Sequence, residues 1–254
     1  MINPEFNLNK LPNRTTKPRE SGLTMVMDKG LGLRQVEDFI ESCSDYIDIV
    51  KFGFGTSLIT PNLQDKIKLY QEAGIPVYFG GTLFEAYVIR GQFDDYRKLI
   101  TKFGITHCEV SDGSIEISEE EKCGYIRALA KEFTVLSEVG SKDAEKIIPP
   151  YKWIAMMQAE IDAGVWKVIA EARESGTVGI FRNSGEIRSG LIEEILTKIP
   201  QESILWEAPQ KTQQVWFMNL YGQNVNLGNI APNEVIPLET LRLGVRGDTF
   251  HHWL

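Results

Sequence analysis

The chain has little that would anchor, staple or thread it. No run approaches the roughly 20 apolar residues of a membrane span. The three cysteines, Cys43, Cys108 and Cys123, are odd in number and widely spaced. That pattern fits reduced thiols in a cytoplasm and argues against a disulfide framework. CxxC and CxxH patterns are missing, so structural zinc is not expected. The histidines, His107, His251 and His252, form no HExxH helix. No basic stripe offsets the net charge of −8, which argues against nucleic acid as the main partner. An anionic substrate is still compatible, since a site needs only a few local cations. The opening stretch MINPEFNLNKLPNRTTKPRE lacks the apolar core of a signal peptide. A cytoplasmic protein with no membrane partner is the expectation.

What is present is ordinary globular composition, 43% hydrophobic and 24% charged over 254 residues. A chain of this length can bury a large core without staples. Eight short runs read as strands: Leu23–Met27, Ile47–Phe52, Pro76–Phe79, Ile105–Val110, Thr134–Val139, Val165–Ala170, Ile204–Glu207 and Val225–Asn229. Amphipathic segments lie between them: Val36–Cys43, Leu63–Tyr70, Tyr96–Phe103, Tyr125–Leu129, Trp153–Asp162 and Leu191–Ile199. Thr60-Pro61-Asn62 opens one helix and Ala73-Gly74 closes it; Ser118 with Glu121 reads as a capping box. Strand–helix alternation implies a parallel sheet, and eight repeats suit a closed (β/α)8 TIM barrel. The rival open sheet usually shows a GxGxxG turn, which Asp28-Lys29-Gly30-Leu31-Gly32 does not match. No low-complexity linker divides the chain, so a polar lead-in (1–18) and one catalytic barrel domain (19–254) are expected.

In such barrels the working residues sit at the C-terminal strand ends. Those ends carry Asp28 and Lys29, Lys51, Gly81-Thr82, Glu109 and Asp112, Glu138 and Lys142, Glu171 and Arg173, Glu207 and Asn229. Buried charge is costly unless it is paired or holds an ion. Loop charge would explain any one of these, but it explains the set badly. In Phe133–Lys142 (FTVLSEVGSK), Glu138, Gly140 and Lys142 alternate and share a face while the chain is extended. Glu171, Arg173 and Ser175 alternate likewise, either toward an anion or as an ion pair in the wall. Lys51, inside Ile49-Val50-Lys51-Phe52, is an anion ligand or a snorkelling core lysine. The glycine-rich turns 53–57 and 80–82 offer backbone N–H groups to an anion, a weak signal alone. His107 reads as structural. Two late segments are more specific. Glu207–Gln214 places a carboxylate before a Pro-initiated helix, and Leu238–Thr249 reads as a final basic helix near the region where barrels often bind phosphate.

These stretches resemble the phosphosulfolactate synthase family of the coenzyme M biosynthesis type. The matching pieces are GLTMVMDKG at 22–30, DYIDIVKFGFGTS at 45–57, GGTLFE at 80–85, EVSDG at 109–113 and EVGSK at 138–142. EARESG at 171–176, EAPQKTQQ at 207–214, VNLGNI at 225–230 and the segment 238–249 follow in order. The resemblance implies a (β/α)8 barrel, a carbon–sulfur lyase that adds sulfite to phosphoenolpyruvate with Mg²⁺ to give (R)-2-phospho-3-sulfolactate. It implies that Lys142 is the acid–base residue. Asp112, Glu138 and Glu171 are then the expected metal ligands. Lys51, Arg173, Lys211 and Asn229 are the expected substrate-binding residues. A homo-oligomer is also expected. The alternatives are another barrel lyase or isomerase acting on a small phosphorylated acid, and a non-catalytic metabolite-binding barrel.

Overall fold

Each β-branched run becomes a strand buried on both faces, as parallel sheets covered by helices require. The computed structural model describes residues 5–141 and 148–252. The strands are β1 (Thr24–Asp28), β2 (Ile49–Phe52), β3 (Val77–Phe79), β4 (His107–Val110), β5 (Thr134–Val139), β6 (Lys167–Ala170), β7 (Ile204–Glu207) and β8 (Leu227–Ile230). They form one parallel sheet in the order β3-β2-β1-β8-β7-β6-β5-β4. Strand β1 pairs with both β2 and β8, and the end strands β3 and β4 lie side by side to close the wall. The expected TIM barrel is the observed fold. Several strands start later than their apolar runs. Ile47, Ile105, Val165 and Val225 are buried below the ladder, so their apolarity reflects packing rather than strand pairing.

Helices α1 (Leu33–Cys43), α2 (Leu63–Glu72), α3 (Gly81–Val88), α4 (Phe93–Lys102), α5 (Glu119–Leu129), α6 (Pro150–Asp162), α7 (Ser189–Leu196), α8 (Lys211–Tyr221) and α9 (Val235–Arg242) surround the strands. The Ser118–Glu121 capping box is present at α5, and Asn62 holds the N-cap position of α2 with a left-handed φ of 53° and no side-chain cap bond. Two boundaries differ from expectation. Gly80-Gly81-Thr82 is the start of α3 rather than an isolated turn. The last helix ends at Arg242, well short of Thr249, because Gly244 takes a left-handed φ of 68° and stops it.

Side-chain alternation sorts the core into two clusters. Leu23, Met25, Ile49, Tyr78, Leu136, Ile169 and Leu205 form a small cluster, all almost fully buried. Their strand neighbours Val26, Val50, Val77, Val135, Val168 and Ile204 belong to the large cluster with the helices. The small cluster is therefore the apolar plug of the barrel interior.

The N-terminal segment runs over the opposite end from the strand C-termini. Arg14 Nε donates to Glu239 Oε1 at 2.9 Å and its Nη1 to Asn224 Oδ1 at 2.6 Å. Arg19 pairs with Asp48 at 2.9 Å, whose other oxygen accepts from the Thr24 N–H. Arg242, fully buried, donates to the carbonyls of Gln223, Val225 and Leu23. These bonds tie the bases of β1 and β8 to the lead-in.

Candidate active site

Continuing each strand two residues beyond the plug keeps the same face and exchanges carbon for charge. Ile49 is followed by Lys51, Leu136 by Glu138, Ile169 by Glu171 and Leu205 by Glu207. Glu109 on β4 joins the same layer. Above it lies a cavity of about 390 Å³ lined by Met27, Lys51, Phe54, Gly81, Thr82, Glu109, Glu138, Ala172, Arg173, Glu174, Ser175, Glu207 and Asn229.

Lys51 is the hub. Its Nζ lies 3.0 Å from Glu109 Oε2 and 3.4 Å from Glu207 Oε1. Burial disfavours its charge, but Glu109, Glu138 and Glu207 together outweigh burial and hold the ammonium well above the usual lysine range. Burial raises the Glu109 carboxyl, against the pull of Lys51. Burial likewise pushes Glu207 up to about 8, with Lys51 opposing and Glu138 adding to the rise. Three carboxylates facing one buried ammonium favour one extra proton or one extra cation.

Backbone donors orient these groups. The Gly81 N–H, at the first residue of α3, donates to Glu109 Oε1 and bridges the β3–β4 seam. A Cβ at position 81 would lie 2.2 Å from Ser111 Oγ, so only glycine allows that approach. The Ala172 N–H donates to Glu207 Oε2 at 2.8 Å. Asn229 closes the pocket on the β8 side with a left-handed φ of 56°, which asparagine tolerates better than most residues. Its Oδ1 is buried without a hydrogen-bond partner and it lines the cavity, so that polar group is available to a ligand.

Of the expected residues, Lys51, Glu138, Arg173 and Asn229 come together in this cavity. Glu171 is buried at the end of β6, against Gly140. A Cβ on Gly140 would sit 2.8 Å from the Glu171 Cβ. Beyond β6 the chain does not stay extended. It turns at Arg173–Gly176, closed by Gly176 N–H to the Arg173 carbonyl at 2.8 Å, so alternation does not govern Ser175. Asp112 lies outside the lining, with Oδ1 2.9 Å from Lys122 Nζ. Lys211 is also outside it, 2.9 Å from Asp248. Lys142 lies outside the described residues. Glu109 and Glu207 stood at strand ends in the sequence without a role; Glu207 follows the plug residue Leu205 by two, whereas Glu109 is placed by its register with Leu136 on β5.

The donors are oxygens throughout, and carboxylates outnumber the buried cation, which suits a hard divalent ion. Among the described residues no three His, Cys, Asp or Glu side chains are arranged as a metal cage. A cation that keeps most of its waters and takes one or two carboxylates fits this arrangement.

The chain matches the family described as (2R)-phospho-3-sulfolactate synthase over residues 12–248. It is 45% identical over 249 residues to the phosphosulfolactate synthase of Bacillus subtilis, covering 97% of this chain and 98% of that one. It is 45% identical over 237 residues to the phosphosulfolactate synthase of Methanocaldococcus jannaschii, covering 91% and 94%. Among solved structures, 3-hexulose-6-phosphate synthase from Salmonella typhimurium superposes with a TM-score of 0.57 at 14% identity. That match covers 88% of this chain and 100% of that one, a likeness of fold alone.

Proposed function

Because the chain belongs to the (2R)-phospho-3-sulfolactate synthase family and is an enzyme of the carbon–sulfur lyase type, we propose that this pocket joins sulfite to phosphoenolpyruvate. The product is (R)-2-phospho-3-sulfolactate. The observation that carries the reading is the charged layer directly above the plug, where Lys51 meets Glu109 and Glu207 beside Glu138, Arg173 and Asn229. An apolar barrel has no structural need for it.

Phosphoenolpyruvate carries a carboxylate conjugated to its double bond. Sulfite attacks the terminal CH₂ carbon, the new C–S bond forms there, and the π electrons move onto the carboxylate. Protonation at C2 completes the addition. Bound Mg²⁺ supplies electrostatic stabilisation of the charge that develops on the carboxylate. Glu138 is the pocket carboxylate that would hold it, with Glu171 behind. Asp112 would join them only on release from Lys122. Arg173 offers a planar fork to carboxylate or phosphate, and Asn229 offers its unpartnered Oδ1 as an acceptor to a donor or a cation. Lys51 adds positive charge at the floor while its own glutamates keep it protonated. Lys211 reaches substrate only by leaving Asp248. Lys142 delivers the proton to C2 from one face.

Phosphorus NMR of the purified protein with phosphoenolpyruvate, sulfite and Mg²⁺ tests the reading. The phosphoenolpyruvate resonance should give way to one new phosphate-ester resonance, only when sulfite is present. Sulfite-independent loss, or no loss, rejects it. Borohydride should trap nothing, whereas a Schiff-base aldolase would be trapped.

A further inference from the structure

We propose that Lys122, on the far side of β5 from the pocket, is a positioning residue that sets where Glu138 stands. The inference rests on the function proposed above. Lys122 lies in α5 and is 4% exposed. Its Nζ has three acceptors on three different elements. Asp112 Oδ1, in the loop after β4, is 2.9 Å away, and Glu160 Oε1, on α6, is 2.8 Å away. The backbone carbonyl of Glu138, on β5, is 2.6 Å away. An ammonium has three N–H donors and no acceptor, so every donor is used.

The tether is doubled. Glu160 takes a second hydrogen bond from Ser137 Oγ, so two successive β5 residues are held from the helix side. Ser137 faces the helices. Glu138 sends its carboxylate the other way into the cavity, and its carbonyl is the atom Lys122 grips. Fixing that carbonyl fixes the Cα from which the carboxylate projects. The same ammonium holds Asp112 and so ties the β4 loop to the end of β5.

Burying Lys122 with the carboxylate of Glu160, beside a half-buried Asp112, is an expensive way to pack a helix on a strand, and apolar residues of similar volume do it as well or better. The geometry points to a gain in placement at the pocket. Residues that orient a functional side chain in this way typically change activity by about 10- to 100-fold when replaced.

The test compares Lys122→Met and Lys122→Arg with the parent enzyme. Steady-state kinetics with phosphoenolpyruvate, sulfite and Mg²⁺ are combined with amide hydrogen exchange across residues 134–141. Both variants should lose about 10- to 100-fold in kcat, with KM for phosphoenolpyruvate changed by less than about threefold. Exchange should quicken in 134–141 and stay unchanged in β1 and β8. If Lys122→Met does not fold, Lys122→Arg decides. It keeps the buried charge but does not place three donors at these points. A folded variant with kcat within about twofold of the parent, or with unchanged exchange in 134–141, overturns the proposal. A parent enzyme that does not turn over sulfite and phosphoenolpyruvate defeats the function instead, and the exchange data alone then judge the tether.

Discussion

Glu207 shows how one side chain in the charged layer reports on the whole cluster. Its carboxyl is raised from 4.5 to about 8, first by burial, so the folded state binds a proton there more readily than the unfolded chain does. Below about pH 4.5 both states carry the proton. Between that value and about 8 the folded state holds more, so stability falls as pH rises through this window. Glu207→Gln removes the titration. Urea unfolding of the parent should weaken by a few kcal/mol from about pH 5 to about pH 8, and the variant should lose less. Equal slopes would show that another group titrates. Lys142→Ala tests a second residue. If that lysine protonates C2, turnover should fall by at least about 100-fold, and near-normal turnover rules it out. Lys51 was legible in the sequence because it stands inside an apolar run, and Glu138 because it ends one and alternates with Gly140. Asp112 and Lys211 were legible only as charges near strand ends. Their partners, Lys122 and Asp248, sit on other elements, and spacing within one stretch does not show them.

The β6–α7 connection is the element on which Arg173, Glu174 and Ser175 depend. Gly179 holds it down. Its φ is 63°, and a Cβ there would lie 1.9 Å from the Glu171 carbonyl oxygen, a backbone atom that has no room to move. The Ile180 N–H donates to that same carbonyl at 3.0 Å. Gly179→Ala should therefore destabilise the fold by about 2 kcal/mol or more and lower turnover as the connection lifts. A melting temperature equal to the parent's contradicts this. Helix α3 explains a different gap in legibility. It has no side-chain N-cap bond, so it carries no start signal, and its two leading glycines read as a turn. Helix α5, with Ser118 bonded to the Glu121 N–H, was legible for the opposite reason. Nothing in the sequence marked Lys122, one residue past that box, because the apolar spacing of α5 says little about what its other positions meet.

The whole molecule divides its labour between its two ends, as (β/α)8 barrels do. Charges at the strand C-termini line a cavity. Charges at the other end make Arg14–Glu239, Arg19–Asp48 and the buried Arg242 contacts. Arg14→Ala should lower stability by about 2 kcal/mol and leave kcat within about twofold. A large loss of kcat without a stability change would move the lead-in into the chemistry. The barrel order was legible because every strand repeated one pattern. The grip of Arg14 was not, because its partners Glu239 and Asn224 lie more than two hundred residues away.

The apolar plug has a further consequence for traffic. Leu136, Ile169 and Leu205 fill the barrel beneath the charged layer, so the cavity is floored by apolar side chains. Whatever binds against Lys51 must enter before anything that rests above it, and the outer occupant must leave first. A joined product spanning both levels keeps each reactant out until it departs, so product should inhibit competitively against the deeper reactant and its escape should help set the rate.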